Sequence, residues 1–346
     1  MPASFHRLAR DQLLRRASTG CGAERKTSRI LRLVSRGGGA VTRGQPVQLV
    51  LLGTIWGSSY LFSKLAVAGI PPLALVEGRL LLGALVLLAV RWVTRQPWPS
   101  RAVWLHLALM AVIGNVVPFL LIAWSEQHID SGLASVLNAT TPFFTVLFAV
   151  LIFRAERLTQ AKAIGVTLGF LGVAVLSGAD LAAVGAASTQ GQLAVLASSA
   201  CYGLGFAYAR RFLRGAPLAL AAGQIALAAL ILLPPALATE DLAALRPGSV
   251  EILSLLALGV ASSGLAYVLY YRLIAAAGAV IASLATYLMP PVGVTLGWLV
   301  LGEPVGWRLL VGIVLILLGM AVVQGRAGWS AWRGGTARAS TLLADD

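Results

Sequence analysis

Residues 134–151 read ASVLNATTPFFTVLFAVL, and residues 282–299 read ASLATYLMPPVGVTLGWL. At a displacement of 148 they pair Ala134 with Ala282, Ser135 with Ser283, Pro142 with Pro290, Val146 with Val294 and Leu151 with Leu299. The register extends both ways. Upstream, a displacement of 146 superposes Gly57 on Gly203, Gly69 on Gly215, Pro71 on Pro217 and Leu81 on Leu227. Downstream, a displacement of 147 superposes Glu156 on Glu303, Gly165 on Gly312, Gly172 on Gly319 and Gly178 on Gly325, because FRAERLT is one residue longer than LGEPVG. Apolar similarity arising by chance would not keep a glutamate, a proline and a set of glycines in step, so the chain is an internal repeat.

What repeats is membrane-spanning helix. Of 346 residues, 58% are apolar and 12% charged, with a mean hydropathy of +0.84. A soluble domain runs near 45–50% apolar and ~25% charged, so a water-soluble enzyme of this length is excluded. Runs of about 20 apolar residues are needed to cross the hydrocarbon core. Ten are present, at 47–68, 74–93, 104–124, 132–153, 163–179, 191–209, 218–237, 252–271, 279–301 and 306–323. The expected fold is an all-α polytopic membrane protein whose partner is the lipid bilayer.

Charge sets the orientation. Residues 1–46 carry ten Arg or Lys against Asp11 and Glu24, and read as a basic, disordered cytosolic tail. Val41-Thr-Arg-Gly-Gln-Pro resembles a short leader, so a start at Val41 would remove nearly all of that tail. Beyond it, thirteen Arg or Lys fall in one set of alternate segments, including Arg91, Arg95, Arg154, Arg210 and the tail at 326–346, while the other set holds Arg246 and Arg308 and collects acids. By the positive-inside rule both termini are cytosolic. The net charge of +14 is thus a matter of tails and loops, and nucleic acid is not an expected partner. Each repeat, 47–179 and 191–325, holds five spans, an odd number, so the second copy enters the membrane from the opposite side. Ten helices as two inverted five-helix repeats is an architecture of secondary transporters, which hold substrate at the repeat interface near the midplane.

The residues then match a known pattern. WGSSYLFSKLAV at 56–67, the Pro71-Pro72 pair, Arg79, and a proline, glutamate and glycine closing each half resemble the EamA-type permeases of the drug/metabolite transporter superfamily. The resemblance covers roughly residues 47–325. It implies a ten-helix permease of the plasma (inner) membrane, often an exporter of amino acids or other small metabolites.

The substrate site is expected where the repeats align. Pro142 and Pro290 lie halfway along the fourth and ninth spans, and a proline leaves the carbonyl four residues earlier without its helical donor. Those carbonyls belong to Asn138 and Thr286, and Pro291 likewise frees Tyr287. Free backbone groups survive in a membrane only where protein or a water-filled cavity satisfies them. Asn138, Thr140, Thr141, Thr286 and Tyr287 gather at that depth, and Trp56, Ser59, Tyr60, Asn115, Tyr202, Ser263 and Tyr267 complete the expected lining. The plainer alternative is that the prolines only kink helices for packing and the polar groups bond one another. Lys64, Glu77 and Arg79 are read as approaching the outer interface, either snorkelling or forming a gate through a Lys64–Glu77 pair across the Gly69-Ile-Pro-Pro turn. Glu156 and Glu303 are read as structural, each facing the helix start that follows it, with Thr159 an N-cap.

Other chemistry is thin. Cys21 and Cys201 occupy different environments, no Ser/His/Asp or His/Glu constellation is present, and the glycines lack the strand-turn-helix context of a nucleotide loop. No cofactor, no metal and no enzymatic activity are expected. The leading function is alternating-access transport of a small-molecule substrate. A proton-coupled drug or cation exporter is weaker, since such exchangers usually need a carboxylate in mid-membrane and the central parts of the spans hold no Asp or Glu. A membrane-embedded enzyme or lipid-handling protein is weaker still. Oligomeric state is left open.

Overall fold

The computed structural model describes residues 44–155, 157–178, 187–213, 215–241, 244–277, 282 and 284–323. The expectations for the two tails and for Glu156 lie outside the described residues. Among those described, regular structure is helical throughout, without a strand. In chain order the helices are α1 (Gly44–Ala66), α2 (Pro72–Val93), α3 (Arg101–Ser125), α4 (Ser131–Leu151), α5 (Gln160–Ser177), α6 (Ala187–Phe212), α7 (Pro217–Thr239), α8 (249–277), α9 (Leu284–Leu301) and α10 (Trp307–Val323). Eight are long and apolar enough to cross a membrane; α6 is long but less apolar, and α10 is apolar but short, within the described residues. Helix is the form such segments take because it satisfies every backbone group internally where no water is available.

Their ends follow local chemistry. Pro72 and Pro217 start α2 and α7, where the missing N–H costs no helical bond. The Thr159 side chain accepts from the Lys162 N–H at 3.4 Å, the expected cap of α5. The first span begins at Gly44, three residues earlier than the sequence pattern indicates.

Two pairs of helices are irregular in matching ways. In α4 one α-helical piece runs Ser131–Asn138 and a second restarts at Thr141–Leu151. In α9 a 3₁₀ turn, Leu284–Leu288, precedes the α-helical Met289–Leu296. The prolines therefore do not kink continuous helices: Pro142 and Pro290 sit in the first turns of restarted ones, where proline is tolerated. Similarly, α3 widens into a π-helical segment at Val112–Val116 and α8 does so at Ala257–Leu265. Such wide turns cluster at functional sites.

Packing also occurs in matched pairs. A Cβ at Gly57 of α1 would stand 2.7 Å from that of Val292 in α9, and a Cβ at Gly203 of α6 would stand 2.6 Å from that of Phe144 in α4. Gly57 aligns with Gly203 and Phe144 with Val292, so the same close approach is made twice. Helices α5 and α10 cross antiparallel, backbone on backbone. A Cβ at Gly165 would meet the Gly319 carbonyl at 2.6 Å, and one at Gly172 the Gly312 carbonyl at 3.0 Å. Glycine is required at these contacts because any side chain would force the helices apart. Larger side chains fill the remaining space in two main clusters. One, around Leu75, Leu80, Phe119, Ile225 and Leu258, joins α2, α3, α7 and α8. The other, around Phe143, Leu137, Val195 and Ile316, joins α4, α6 and α10.

Candidate functional site

Arg79 lies seven residues into α2, about 10 Å from its start at 1.5 Å per residue. The expectation that it snorkels to the outer interface is not met. Its side chain points inward, with Nε donating to Ser263 Oγ of α8 at 2.8 Å and the guanidinium carbon 3.9 Å from the Phe119 ring centroid of α3. Tyr60, Tyr202 and Tyr267, from α1, α6 and α8, lie within electrostatic reach of the cation. The reason is that α2 is apolar around its circumference, so depth along the helix says nothing of which side faces the bundle; packing against α8 and α7 decides it.

The other members of this cluster extend it in three directions. Tyr60 is buried, and its hydroxyl faces the side chain of Asn138. Asn138 Oδ1 in turn accepts from Ser199 Oγ of α6 at 3.2 Å. Tyr267 lies beside the Asn115 amide and against the Trp56 ring, whose centroid is 6.2 Å away. Asn115, fully buried in the π-helical segment of α3, accepts from Gln224 Nε2 of α7 at 2.5 Å. Trp56 Nε1 donates to the Ser262 carbonyl at 3.3 Å, and Tyr202 meets Phe119 edge-on at 6.4 Å. Trp56, Tyr60, Asn115, Asn138, Tyr202, Ser263 and Tyr267 are thus brought together, with Arg79 bonded to Ser263 and within electrostatic reach of the three tyrosines, through which Trp56, Asn115 and Asn138 join.

At the break in α4 the polar groups bond one another. The Asn138 carbonyl accepts from Thr141 Oγ1 at 2.8 Å and that of Leu137 from Thr140 Oγ1 at 2.7 Å, so the break in α4 satisfies itself with neighbouring hydroxyls. Ser59 Oγ likewise turns to the Trp56 carbonyl at 2.6 Å. Thr286 and Tyr287 lie in the 3₁₀ turn of α9, half-buried, with Tyr287 packed against the same apolar cluster as Tyr60.

The Lys64–Glu77 pair is not formed. Lys64 Nζ donates to the carbonyls of Glu126 at 2.5 Å and Ile129 at 2.7 Å, binding the C-terminal end of α3 to α1. A cation suits that end because the last carbonyls of a helix carry its negative pole. Glu77 is buried at 3% exposure with neither carboxylate oxygen hydrogen-bonded.

Glu126, just beyond α3, is fully buried. Ser63 stands beside its carboxylate yet outside hydrogen-bond geometry, with Lys64 and Arg79 within electrostatic reach. Burial, the largest influence, pushes this acid well above the usual carboxylate range; Glu303 adds to the rise, and Ser63 and the two cations oppose it. Asp130 is raised too, first by burial and then by Glu303. Glu303 itself does not face the helix that follows it. The left-handed turn at Gly302 (φ 68°) ends α9 and lets the carboxylate reach across to α4, accepting from the N–H groups of Ser131 at 2.7 Å and Gly132 at 2.9 Å.

Gln224, Ser199, Phe119 and Glu126 were not among the expected site residues. Gln224 could have been found as a lone amide in an otherwise apolar span. Nothing in the sequence marks Phe119, whose role depends on standing over Arg79.

Apolar helices enclosing a buried polar cluster drawn from several spans define a polytopic α-helical membrane protein. The chain belongs to the EamA-like transporter family, whose profile matches it twice, over residues 46–178 and 189–324. It is 27% identical over 277 residues to the uncharacterized transporter YvbV of Bacillus subtilis (strain 168), covering 80% of this chain and 90% of that protein. It is 28% identical over 288 residues to the uncharacterized inner membrane transporter YedA of Escherichia coli (strain K12), covering 78% and 90%. A probable terminal-alkyne amino-acid exporter of Streptantibioticus cattleyicolor is 28% identical over 291 residues, covering 80% and 92%. One solved crystal structure has the same fold, with a TM-score of 0.57 at 22% identity over 80% of this chain and 96% of that one. The family and these relatives are transporters by name rather than enzymes.

Proposed function

We propose that the protein is a secondary transporter of small metabolites, with amino acids the leading class. It works by alternating access of two inverted five-helix halves, crosses the inner membrane ten times and keeps both termini in the cytosol. The carrying observation is the cluster around Arg79, to which α1, α2 and α3 of the first half and α6 and α8 of the second contribute. A site built from both halves changes its access when the halves rock against each other. The inverted arrangement is supported by the twice-matched family profile, by the twin contacts Gly57–Val292 and Gly203–Phe144, and by the antiparallel crossing of α5 and α10. The relative named as a probable amino-acid exporter favours amino acids as cargo. A cationic drug is disfavoured because the cluster is centred on a guanidinium, and like charges at close range repel strongly in a low-dielectric interior.

The test is uptake of labelled amino acids by vesicles containing the purified protein, with and without a pH gradient. Saturable uptake that Trp56→Ala and Tyr267→Phe alter without lowering the amount inserted is the expected result. Correctly inserted protein that moves none of the panel, or labelling that places the 240–248 loop in the cytosol, overturns it.

A further inference from the structure

On the transport reading above, Arg79 has a further role. A guanidinium carries five N–H donors in a planar fork. Among the described residues, Nε alone uses one on a protein acceptor, Ser263 Oγ at 2.8 Å. One face of the fork is covered by Phe119, which holds it flat without using a hydrogen bond. The acid within electrostatic reach is Glu126, which burial drives towards its neutral form. The side chain is thus fixed at its Nε edge and over one face, while the terminal nitrogens Nη1 and Nη2 make no hydrogen bond to the described protein. A cation inside a membrane domain is costly, and such residues mark ligand pathways when no protein anion neutralises them.

We propose that Arg79 is the receptor for a carboxylate on the transported molecule, gripped by the Nη pair in the bidentate manner that suits a planar anion. The phenols of Tyr60, Tyr202 and Tyr267 lie within electrostatic reach of the cation, while Trp56 and Phe119 provide aromatic surface for an apolar side chain. Charge count separates a carboxylate from a phosphate ester. Arg79 is one cation and Lys64 is engaged by two backbone carbonyls, so a dianion would have only half its charge compensated. The cluster suits a monoanion. A purely structural Arg79, clamping α2 to α3 and α8, would repel a cationic amide but would not grip the acid, so its loss would strengthen the amides and leave the acids unchanged.

The experiment compares L-phenylalanine and L-leucine with phenylalaninamide and leucinamide as competitors and as labelled substrates. It uses full-length protein in vesicles, for the wild type, Arg79→Lys and Arg79→Gln. Charged hydrogen bonds of this kind correspond to ~10- to 100-fold in affinity. The wild type should prefer each acid to its amide by that factor, Arg79→Gln should erase the preference by weakening the acid alone, and Arg79→Lys should fall between. N-acetylphenylalanine, which keeps the carboxylate and the ring but loses the ammonium, should still compete, and its uncharged amide should compete less by the same factor. Equal handling of acid and amide by the wild type overturns the proposal while leaving the transport function standing. Failure to move any of the probes overturns both. Should Arg79→Gln fail to insert, the wild-type preference for N-acetylphenylalanine over its uncharged amide decides alone.

Discussion

Removing the Glu303 carboxylate should loosen the start of α4. The side chain accepts from two consecutive N–H groups, Ser131 at 2.7 Å and Gly132 at 2.9 Å, at 9% exposure. Hydrogen bonds to charged groups contribute ~1.5–3 kcal/mol each, and a carboxylate at a helix N-terminus gains ~0.3–1 kcal/mol from the helix dipole. The two bonds share one acceptor group and do not add fully, so Glu303→Ala should cost about 3 kcal/mol. Glu303→Gln retains one oxygen acceptor but loses the charge, and should cost roughly half as much. Thermal unfolding of the purified protein in one detergent at one scan rate is the appropriate assay, since large proteins often unfold irreversibly and apparent midpoints then depend on rate. The ordering wild type, Gln, Ala in midpoint is expected. Midpoints for Glu303→Ala and wild type that coincide would show that the cap is not felt by the fold.

Two further perturbations probe other parts. Burial holds Glu126 above its ordinary range, so the fold favours the protonated acid. As pH rises from below the usual carboxylate range, the unfolded chain ionises first and stability falls until the folded group ionises as well. Glu126→Gln should therefore match the wild type at low pH and exceed it at neutral pH, in melts recorded across that window with Ser63, Lys64, Tyr60, Arg79 and Glu303 intact; parallel curves would contradict this. Gly57→Val places a Cβ 2.7 Å from that of Val292 and should cost ~1–3 kcal/mol by overpacking. Gly306→Ala, which meets nothing within 4 Å, should leave the midpoint unchanged, and equal effects of the two would refute the packing account.

Much of this arrangement was legible from residue spacing alone. The repeat brought Pro142 onto Pro290 and so pointed to the two helices that are interrupted. That α4 stops at Asn138 and restarts at Thr141 was not legible, because a proline in a long apolar run looks the same whether it bends a helix or opens a new one. The acceptors of Lys64 lie 62 and 65 residues away in sequence, whereas the turn next to it suggested Glu77. Arg79 was misjudged for a related reason. Its depth follows from counting residues, but its direction depends on how α2 rotates against α8, which an apolar circumference does not encode. Glu303 is placed by spacing before the helix that follows it, yet the N-terminus it serves is that of α4, across the repeat boundary.

The crossing of α5 and α10 has a property reaching beyond this chain's own stability. Gly165 meets Gly319 and Gly172 meets Gly312, and each of these contacts is the other with the two copies exchanged. The surface is self-complementary, as in an isologous homodimer interface. On the inverted-repeat proposal, either half alone carries the glycines that this contact requires. A substitution made at the same repeat position in both halves would therefore strike this crossing at two places.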